Sequence, residues 1–251
     1  MSESWRESCQ QAANVLRRAR RAVAFTGAGI SVPSGIPDFR SKGGLWSKYD
    51  PVEVASLQAM TSNPAGVWRF LVDTAIMFHP ARPNSAHIAL AELERKGYIA
   101  GVLTQNIDGL HQQAGSETVV EYHGGWDNWY CRRCYKGWDH SRAHELTPGE
   151  LPVRCECGGL IRPPVVFFGE GIPQDALRES DRLLSGTDVL LIVGTSGEVT
   201  PANTLPRRVK NAGGTVIEIN LGRTWYEGVS DIRVDASAER ALPVLYDLVV
   251  S

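Results

Sequence analysis

AVAFTGAGIS, residues 22–31, is the stretch whose reading decides the fold. Ala22–Thr26 shows no apolar/polar alternation, so it reads as a short strand buried on both faces, and Gly27-Ala28-Gly29 follows at once. Glycines directly after a strand let backbone N–H groups approach a phosphate closely. The dinucleotide fingerprint would place a third glycine at position 32, where this chain has Val32. Taken alone, the pair fits a tight turn as well as a phosphate cradle.

The rest of the chain repeats the pattern. Ile99–Thr104, Thr118–Tyr122, Val165–Phe168, Asp188–Val193, Thr215–Asn220 and Ile232–Asp235 read as further strands. Helical spacing occupies roughly 4–20, 63–78, 85–96, 174–184, 202–211 and 237–249. Mostly apolar strands separated by helices predict an α/β fold with a parallel sheet covered on both faces. Two regions break the alternation: the helical, loop-rich 39–78 and the cysteine-bearing 126–160. They are candidates for a second, smaller domain.

Composition narrows the function classes. The 251 residues are 43% apolar and 22% charged, as in an ordinary globular protein, which excludes disorder and collagen-like repeats. Lys and Arg number 26 against 28 Asp and Glu, so no basic excess points to nucleic acid. The N-terminal MSESWRESCQ lacks a signal-peptide core, and the longest apolar run, Val189–Val193, is too short to span a bilayer. The expectation is a soluble, cytoplasmic protein.

Polar residues gather where strands end, which is where open α/β sheets bind ligands. Thr104-Gln105-Asn106-Ile107-Asp108 can hydrogen-bond a ribose or carboxamide, or can simply cap a helix. His123 ends a strand beside two glycines, where an imidazole of ordinary pKa near 6.5 can act as a general base. Gly194-Thr195-Ser196 and Asn220-Leu221 occupy two further strand ends. Arg162–Glu170 can offer an open edge to an extended peptide or can belong to the core. Cys131-x-x-Cys134 and Cys155-x-Cys157 suit a closed tetrahedral zinc site, with His140 or His144 as a substitute ligand because the second spacer is short. Cys9 reads as a partly buried helix residue.

As an ordered set, GAGISVPSGIPDFR (27–40), TQNIDGLH (104–111), HG (123–124), the paired cysteines, RPPVVFFGE (162–170), GTS (194–196) and INLG (219–222) resemble the sirtuins, NAD-dependent protein deacylases. The resemblance implies a Rossmann-like, doubly wound parallel sheet formed by 1–38, 79–125 and 160–251. It also implies a smaller domain, a helical insertion plus zinc ribbon, from 39–78 and 126–159. NAD and an acyl-lysine peptide or protein would meet in the cleft between them. The resemblance assigns Gly27, Ala28, Gly29 and Ser31 to the pyrophosphate and ribose, and Asp38, Phe39 and Arg40 to a cofactor-binding loop. Gln105, Asn106, Ile107 and Asp108 would surround the nicotinamide and its ribose. Gly194, Thr195, Ser196, Asn220 and Leu221 would hold the adenosine end. Val166, Phe168, Gly169 and Glu170 would contact the substrate on one side, and Gly197, Glu198 and Val199 on the other. Cys131, Cys134, Cys155 and Cys157 would bind one structural zinc.

The implied chemistry reverses the usual roles, because a lysine amide is a poor electrophile. Its oxygen attacks C1′ of the nicotinamide ribose as nicotinamide leaves. Asn106 positions the ribose, and His123 deprotonates a ribose hydroxyl that then attacks the acyl carbon. Nicotinamide, free lysine and O-acyl-ADP-ribose result. Family members that take acidic acyl groups carry a Tyr and an Arg at the positions matching Leu71 and Thr74. Without that Arg a buried carboxylate would stay unpaired, so neutral chains are expected: acetyl, and longer ones beside Leu71, Ile76, Met77 and Phe78. Gly125 and Thr200 replace residues common in the family, and Glu198 is expected to favour basic residues flanking the lysine. The alternatives are an NAD-consuming ADP-ribosyltransferase or glycohydrolase, and a non-enzymatic zinc ribbon. Neither nucleic acid nor membrane is an expected partner.

Overall fold

The computed structural model describes residues 4–39 and 43–251. Helix α1 (Ser4–Leu16) leads into strand β1 (Ala22–Thr26). The expected helix over 4–20 stops at Leu16 because the Asp188 carboxylate takes the N–H groups of Arg20 and Arg21, each at 3.0 Å. That bond turns the chain into the strand. Three helices come next: α2 (Pro51–Val54), α3 (Leu57–Ser62) and α4 (Pro64–Phe78). Each begins where an Asp, Ser or Asn side chain (Asp50, Ser56, Asn63) accepts a first-turn N–H, the usual start signal.

The alternation then resumes with α5 (Ser85–Arg95), β2 (Val102–Thr104), α6 (Leu110–Gln113) and β3 (Val119–Glu121). A two-residue ribbon pair, β4 (Tyr130–Cys131) and β5 (Ile161–Arg162), frames the cysteines. The chain ends with α7 (Gln174–Leu184), β6 (Val189–Val193), α8 (Leu205–Asn211), β7 (Thr215–Asn220), β8 (Ile232–Asp235) and α9 (Ala238–Val250).

Among the described residues the main sheet has six strands in the order β3-β2-β1-β6-β7-β8, every pair parallel. The order reverses at β1, the switch point where such sheets open a crevice. Register makes the crevice level. Thr26 pairs with Thr104 on one side and Val193 on the other, so Gly27, Gln105 and Gly194 emerge side by side. Thr104 in turn faces Glu121, and Val193 faces Ile219, which adds His123 and Asn220 to the same rim.

One apolar cluster joins α1, α5 and α9 to one sheet face, with Trp5, Leu16, Leu90 and Leu245 buried. Another joins α7 and α8 to the opposite face through Leu184, Leu205 and Tyr226. A third lies apart from both, where Met60, Trp68 and Phe70 meet Trp129 and Ile161. No helix among the described residues is long and apolar enough to cross a membrane.

The expected strand Val165–Phe168 is not part of the sheet. Among the described residues its backbone pairs with other backbone through a bridge, Ser56 to Phe168, and one bond from Val166 N to the His123 carbonyl. Pro163 and Pro164 bring no N–H to a ladder, and Arg162 occupies the carbonyls of Pro163 and Val165. The segment is thereby held between two parts of the molecule.

Candidate active site

The rim begins with two interlocked loops. Gly27 N and Gly29 N donate to Val193 O and Gly194 O at 3.1 and 2.8 Å. Gly194 has φ +62°, and a Cβ there would lie 2.4 Å from Ile30 N, so only glycine lets the loops close. Among the described residues, the N–H groups of Ala28, Thr195 and Ser196 donate to no protein acceptor. Unpaired amides at a crevice above strand ends suit an anion such as a pyrophosphate.

Behind this rim lies a connected polar core. Ser31 Oγ donates to Asp108 Oδ2 at 2.6 Å and accepts from Asn106 Nδ2 at 3.2 Å. Asn106 Nδ2 also donates to Gly27 O at 3.2 Å, so both amide protons are used and Oδ1 remains as an acceptor. Burial pushes the Asp108 carboxyl above its ordinary range. Sequence reading missed the layer beneath. His87 Nδ1 accepts from Asn84 N at 3.3 Å, which places the proton on Nε2, 3.5 Å from Ser31 Oγ. His111 Nε2 lies 2.9 Å from Thr26 Oγ1, which also bonds Thr104 Oγ1 at 2.8 Å. Burial drives the His87 pKa down to about 4 and that of His111 to about 3, so both rings are neutral. A histidine inside a helical pattern looks the same in sequence whether it faces solvent or this core.

His123 stands at the end of β3. Its Nδ1 is 3.1 Å from the Gln105 carbonyl, which can only accept, so Nδ1 carries the proton and Nε2 keeps its lone pair. Burial lowers the ring's pKa, outweighing the opposing hydrogen bond that Nδ1–H donates to the Gln105 carbonyl. The imidazole is therefore a neutral base at pH 7. Gly124 (φ +74°) follows so closely under Pro164 that a Cβ would sit 2.0 Å from the Pro164 carbonyl oxygen. Gln105 Nε2 reaches Thr195 Oγ1 at 2.9 Å, joining the two sides of the switch point.

The segment 166–170 is tied to His123 by a bond from Val166 N to the His123 carbonyl at 2.8 Å. Phe168 N and O pair with Ala55 O and Leu57 N at 2.8 and 2.9 Å, while the Gly169 backbone bonds to no described residue. Glu170 does not face outward as an isolated carboxylate: it forms a two-pronged pair with the buried Arg162 guanidinium and accepts from Phe167 N at 2.9 Å. Burial raises its pKa, but Arg162 and the Phe167 amide outweigh that and hold the carboxyl below the usual range. Phe168 is 44% exposed and belongs to an aromatic wall in which Trp46 lies 6.2, 5.9 and 5.1 Å from Phe168, Phe70 and Phe39. Asp38 is half-buried, and Arg40 lies outside the described residues.

At the other end of the rim, Asn220 Nδ2 donates to Thr195 O and Glu218 Oε1 at 3.1 and 3.0 Å. Leu221 is 68% exposed beside it. Ile107 and Val199 are half-buried, Glu198 is exposed, and Gly197 is packed against Tyr226. The structure thus brings Gly27, Gln105, Asn106, His123, Gly194, Thr195 and Asn220 to one rim, to which Val166 N is joined through the His123 carbonyl.

The four thiols of Cys131, Cys134, Cys155 and Cys157 lie within 4.8 Å of one another. Tetrahedral zinc with Zn–S near 2.3 Å puts sulfurs about 3.8 Å apart, so this donor set fits the ion and closes it to solvent ligands. Neither histidine joins it. His140 Nε2 contacts Asp127 Oδ1 at 3.0 Å, and His144 stacks on His79 at 3.9 Å.

The Sir2 family model matches residues 27–201, which hold both interlocked loops, His123 and the four cysteines. The chain belongs to the Sir2 family. An NAD-dependent protein deacylase 2 from Pyrobaculum aerophilum is 45% identical across 94% of this chain and 93% of its own length. An NAD-dependent protein deacetylase from Caldivirga maquilingensis is also 45% identical, across 95% and 93%. A Sir2 homolog–NAD complex superposes with a TM-score of 0.88 at 38% identity, covering 96% of this chain and 93% of the other. Sir2Af2 bound to a myristoylated histone peptide gives 0.81 at 36%, covering 97% and 96%.

Proposed function

We propose that this Sir2 chain is an NAD-dependent protein lysine deacylase that transfers neutral acyl groups, acetyl and longer, to ADP-ribose. Its named relatives are NAD-dependent deacylases and deacetylases, and structural neighbours hold NAD or an acylated peptide. The observation that carries the reading is the double tether of His123. Its ring is fixed by Gln105 O, and its own carbonyl accepts from Val166 N at 2.8 Å. One residue thus links the nicotinamide-end loop to the segment proposed to bind peptide.

NAD supplies, when bound, a ribose carbon able to take the acyl oxygen as nicotinamide departs. The amides of Ala28, Thr195 and Ser196 would face its pyrophosphate, with Gly27, Gly29, Ser31 and Gly194 shaping the floor. Asn106 Oδ1, left free by the bonds to Gly27 O and Ser31 Oγ, would orient a ribose hydroxyl. Ile107 and Asp108 would meet the carboxamide, and Asn220 and Leu221 the adenosine. Asp38 and Phe39 would border the cofactor and help exclude water, which favours acyl transfer over hydrolysis; Arg40, assigned with them, lies outside the described residues. His123 Nε2 would accept the ribose hydroxyl proton.

The peptide would lie between 166–169 and 197–199, where the backbones of Gly169 and Gly197 bond to no described residue. Glu170 would act there through Arg162, by holding the segment rigid. Leu71 and Thr74 are buried, and the Thr74 hydroxyl is spent on Phe70 O at 2.8 Å, so neither offers a partner to an acidic acyl group. We further propose the division into a sheet domain (1–38, 79–125, 160–251) and a small domain (39–78, 126–159), supported by the separate apolar cluster around Trp68.

The test is mass spectrometry of lysine peptides bearing a panel of acyl groups, with and without NAD. Removal of acetyl and longer neutral chains only with NAD, with O-acyl-ADP-ribose formed, supports the reading. Release of free ADP-ribose alone, or acyl loss without NAD, overturns it.

A further inference from the structure

Glu218 is a fully buried carboxylate on β7 that no step of the proposed reaction uses. It stands two residues before Asn220, so both side chains project from the same face of the sheet. Four groups converge on it. Thr224 Oγ1 and Ser230 Oγ donate to it, each at 2.6 Å, and Arg233 Nη1, from the neighbouring strand β8, lies 3.6 Å away. The fourth is Asn220 Nδ2, which donates to Glu218 Oε1 at 3.0 Å and to Thr195 O at 3.1 Å.

A carboxylate and a backbone carbonyl only accept. Both contacts of the Asn220 amide therefore come from N–H, which uses its two protons. Turned over, the buried amide would set its oxygen against two acceptors and leave them unpaired. Thr195 O alone would hold one proton and let the group swing; the carboxylate fixes the second. The lock leaves Oδ1 as the one side-chain atom that Asn220 offers a ligand, and only as an acceptor. The partner must then be a donor. Thr195, bonded to Asn220, also carries one of the amides proposed to face the pyrophosphate, and the group next to a nucleotide's phosphate is its ribose.

We propose that Glu218 is a positioning residue for NAD, which fixes the Asn220 amide so that Oδ1 accepts a hydrogen bond from a hydroxyl of the adenosine ribose. This rests on the deacylase reading and deepens it, because a residue that never touches the cofactor sets how the cofactor is recognised.

The test measures binding by calorimetry for NAD and for its two analogues that lack the 2′- or the 3′-hydroxyl of the adenosine ribose. Wild type should bind one analogue roughly two- to ten-fold more weakly than NAD, the span of a single neutral hydrogen bond. Glu218→Met, similar in volume but without the acceptor, should weaken NAD binding by a similar factor and lose most of that discrimination. Glu218→Gln keeps an oxygen for Asn220 and should retain most of it. Thr224→Ala removes a tether of the following loop but leaves the Asn220 bond, and should keep the discrimination whole. Glu218→Asp, whose shorter side chain withdraws from Asn220, takes the place of Glu218→Met if that variant does not fold. The proposal is overturned if wild type binds both analogues as tightly as NAD or if the variant lacking the Asn220 bond still discriminates. It is equally overturned if Thr224→Ala loses the discrimination, which would make Glu218 a loop anchor only. Failure of the deacylase reading shows separately, as NAD binding without NAD-dependent acyl loss, and leaves these ratios readable.

Discussion

The His123 Nδ1 lies 3.1 Å from the carbonyl oxygen of Gln105, across the parallel pairing of β2 and β3. A single backbone acceptor therefore sets the tautomer of the side chain proposed as base. Replacing the imidazole removes the base and little else, since the ring is half-buried at a rim. His123→Ala should lose at least ~10²-fold in acyl turnover, the low end for a general base. Its Tm should stay within a few degrees of wild type. Wild-type turnover in the variant would remove His123 from the mechanism.

The direction of the His123 shift makes a statement about pH. A base whose pKa is lowered by burial stays unprotonated further into acid. The acid limb of kcat/KM should thus have its midpoint below the ordinary histidine value of about 6.5. A midpoint above that value would mean the ring is charged at rest.

Asn106 satisfies Gly27 O and Ser31 Oγ with one amide nitrogen. Asn106→Ala strands both in a buried setting, at about 1–3 kcal/mol. It should lower Tm and cut kcat more than KM for peptide. If KM alone rises, Asn106 serves binding only.

The buried imidazoles set a pH dependence of folding. His87 and His111 are neutral in the native state, with pKa values of about 4 and 3, but take up protons once unfolded at the ordinary value near 6.5. The unfolded state then binds more protons between those limits, so stability falls as pH drops from about 6.5 towards 4. Urea melts at pH 7 and 5 should show a loss of roughly 2–4 kcal/mol. His111→Asn should flatten the curve; an unchanged slope would show that other groups dominate.

Zinc removal should act on the small region first. With four thiolates clustered around one position, the protein should carry one zinc per chain. Chelation should expose the Trp129 environment and lower activity indirectly, with recovery when zinc is restored. Cys155→Ser should reproduce the loss. Activity that falls before tryptophan fluorescence changes would place the metal nearer the chemistry than the fold suggests.

The chemistry of the strand ends was legible before any coordinates. Gly27, Gln105, His123 and Asn220 each follow an apolar run, and a parallel sheet delivers residues at strand ends to one edge by register alone. The cysteine spacing likewise announced its metal. The strand expected at Val165–Phe168 was misassigned because apolarity there serves packing against α2, α3 and Trp46, while the prolines and Arg162 deny it a ladder.

Local sequence thus determined the elements, their parallel order of use and the kinds of groups brought to the crevice, because period and turn chemistry act over a few residues. What depended on tertiary packing was decided only by the folded chain. His87 and His111 sit beneath Ser31 and Thr26, Glu170 turns inward to Arg162, and Glu218 fixes the direction of the Asn220 amide. Burial and pairing belong to contacts between distant segments, and a side chain's charge or direction is settled only when those segments meet.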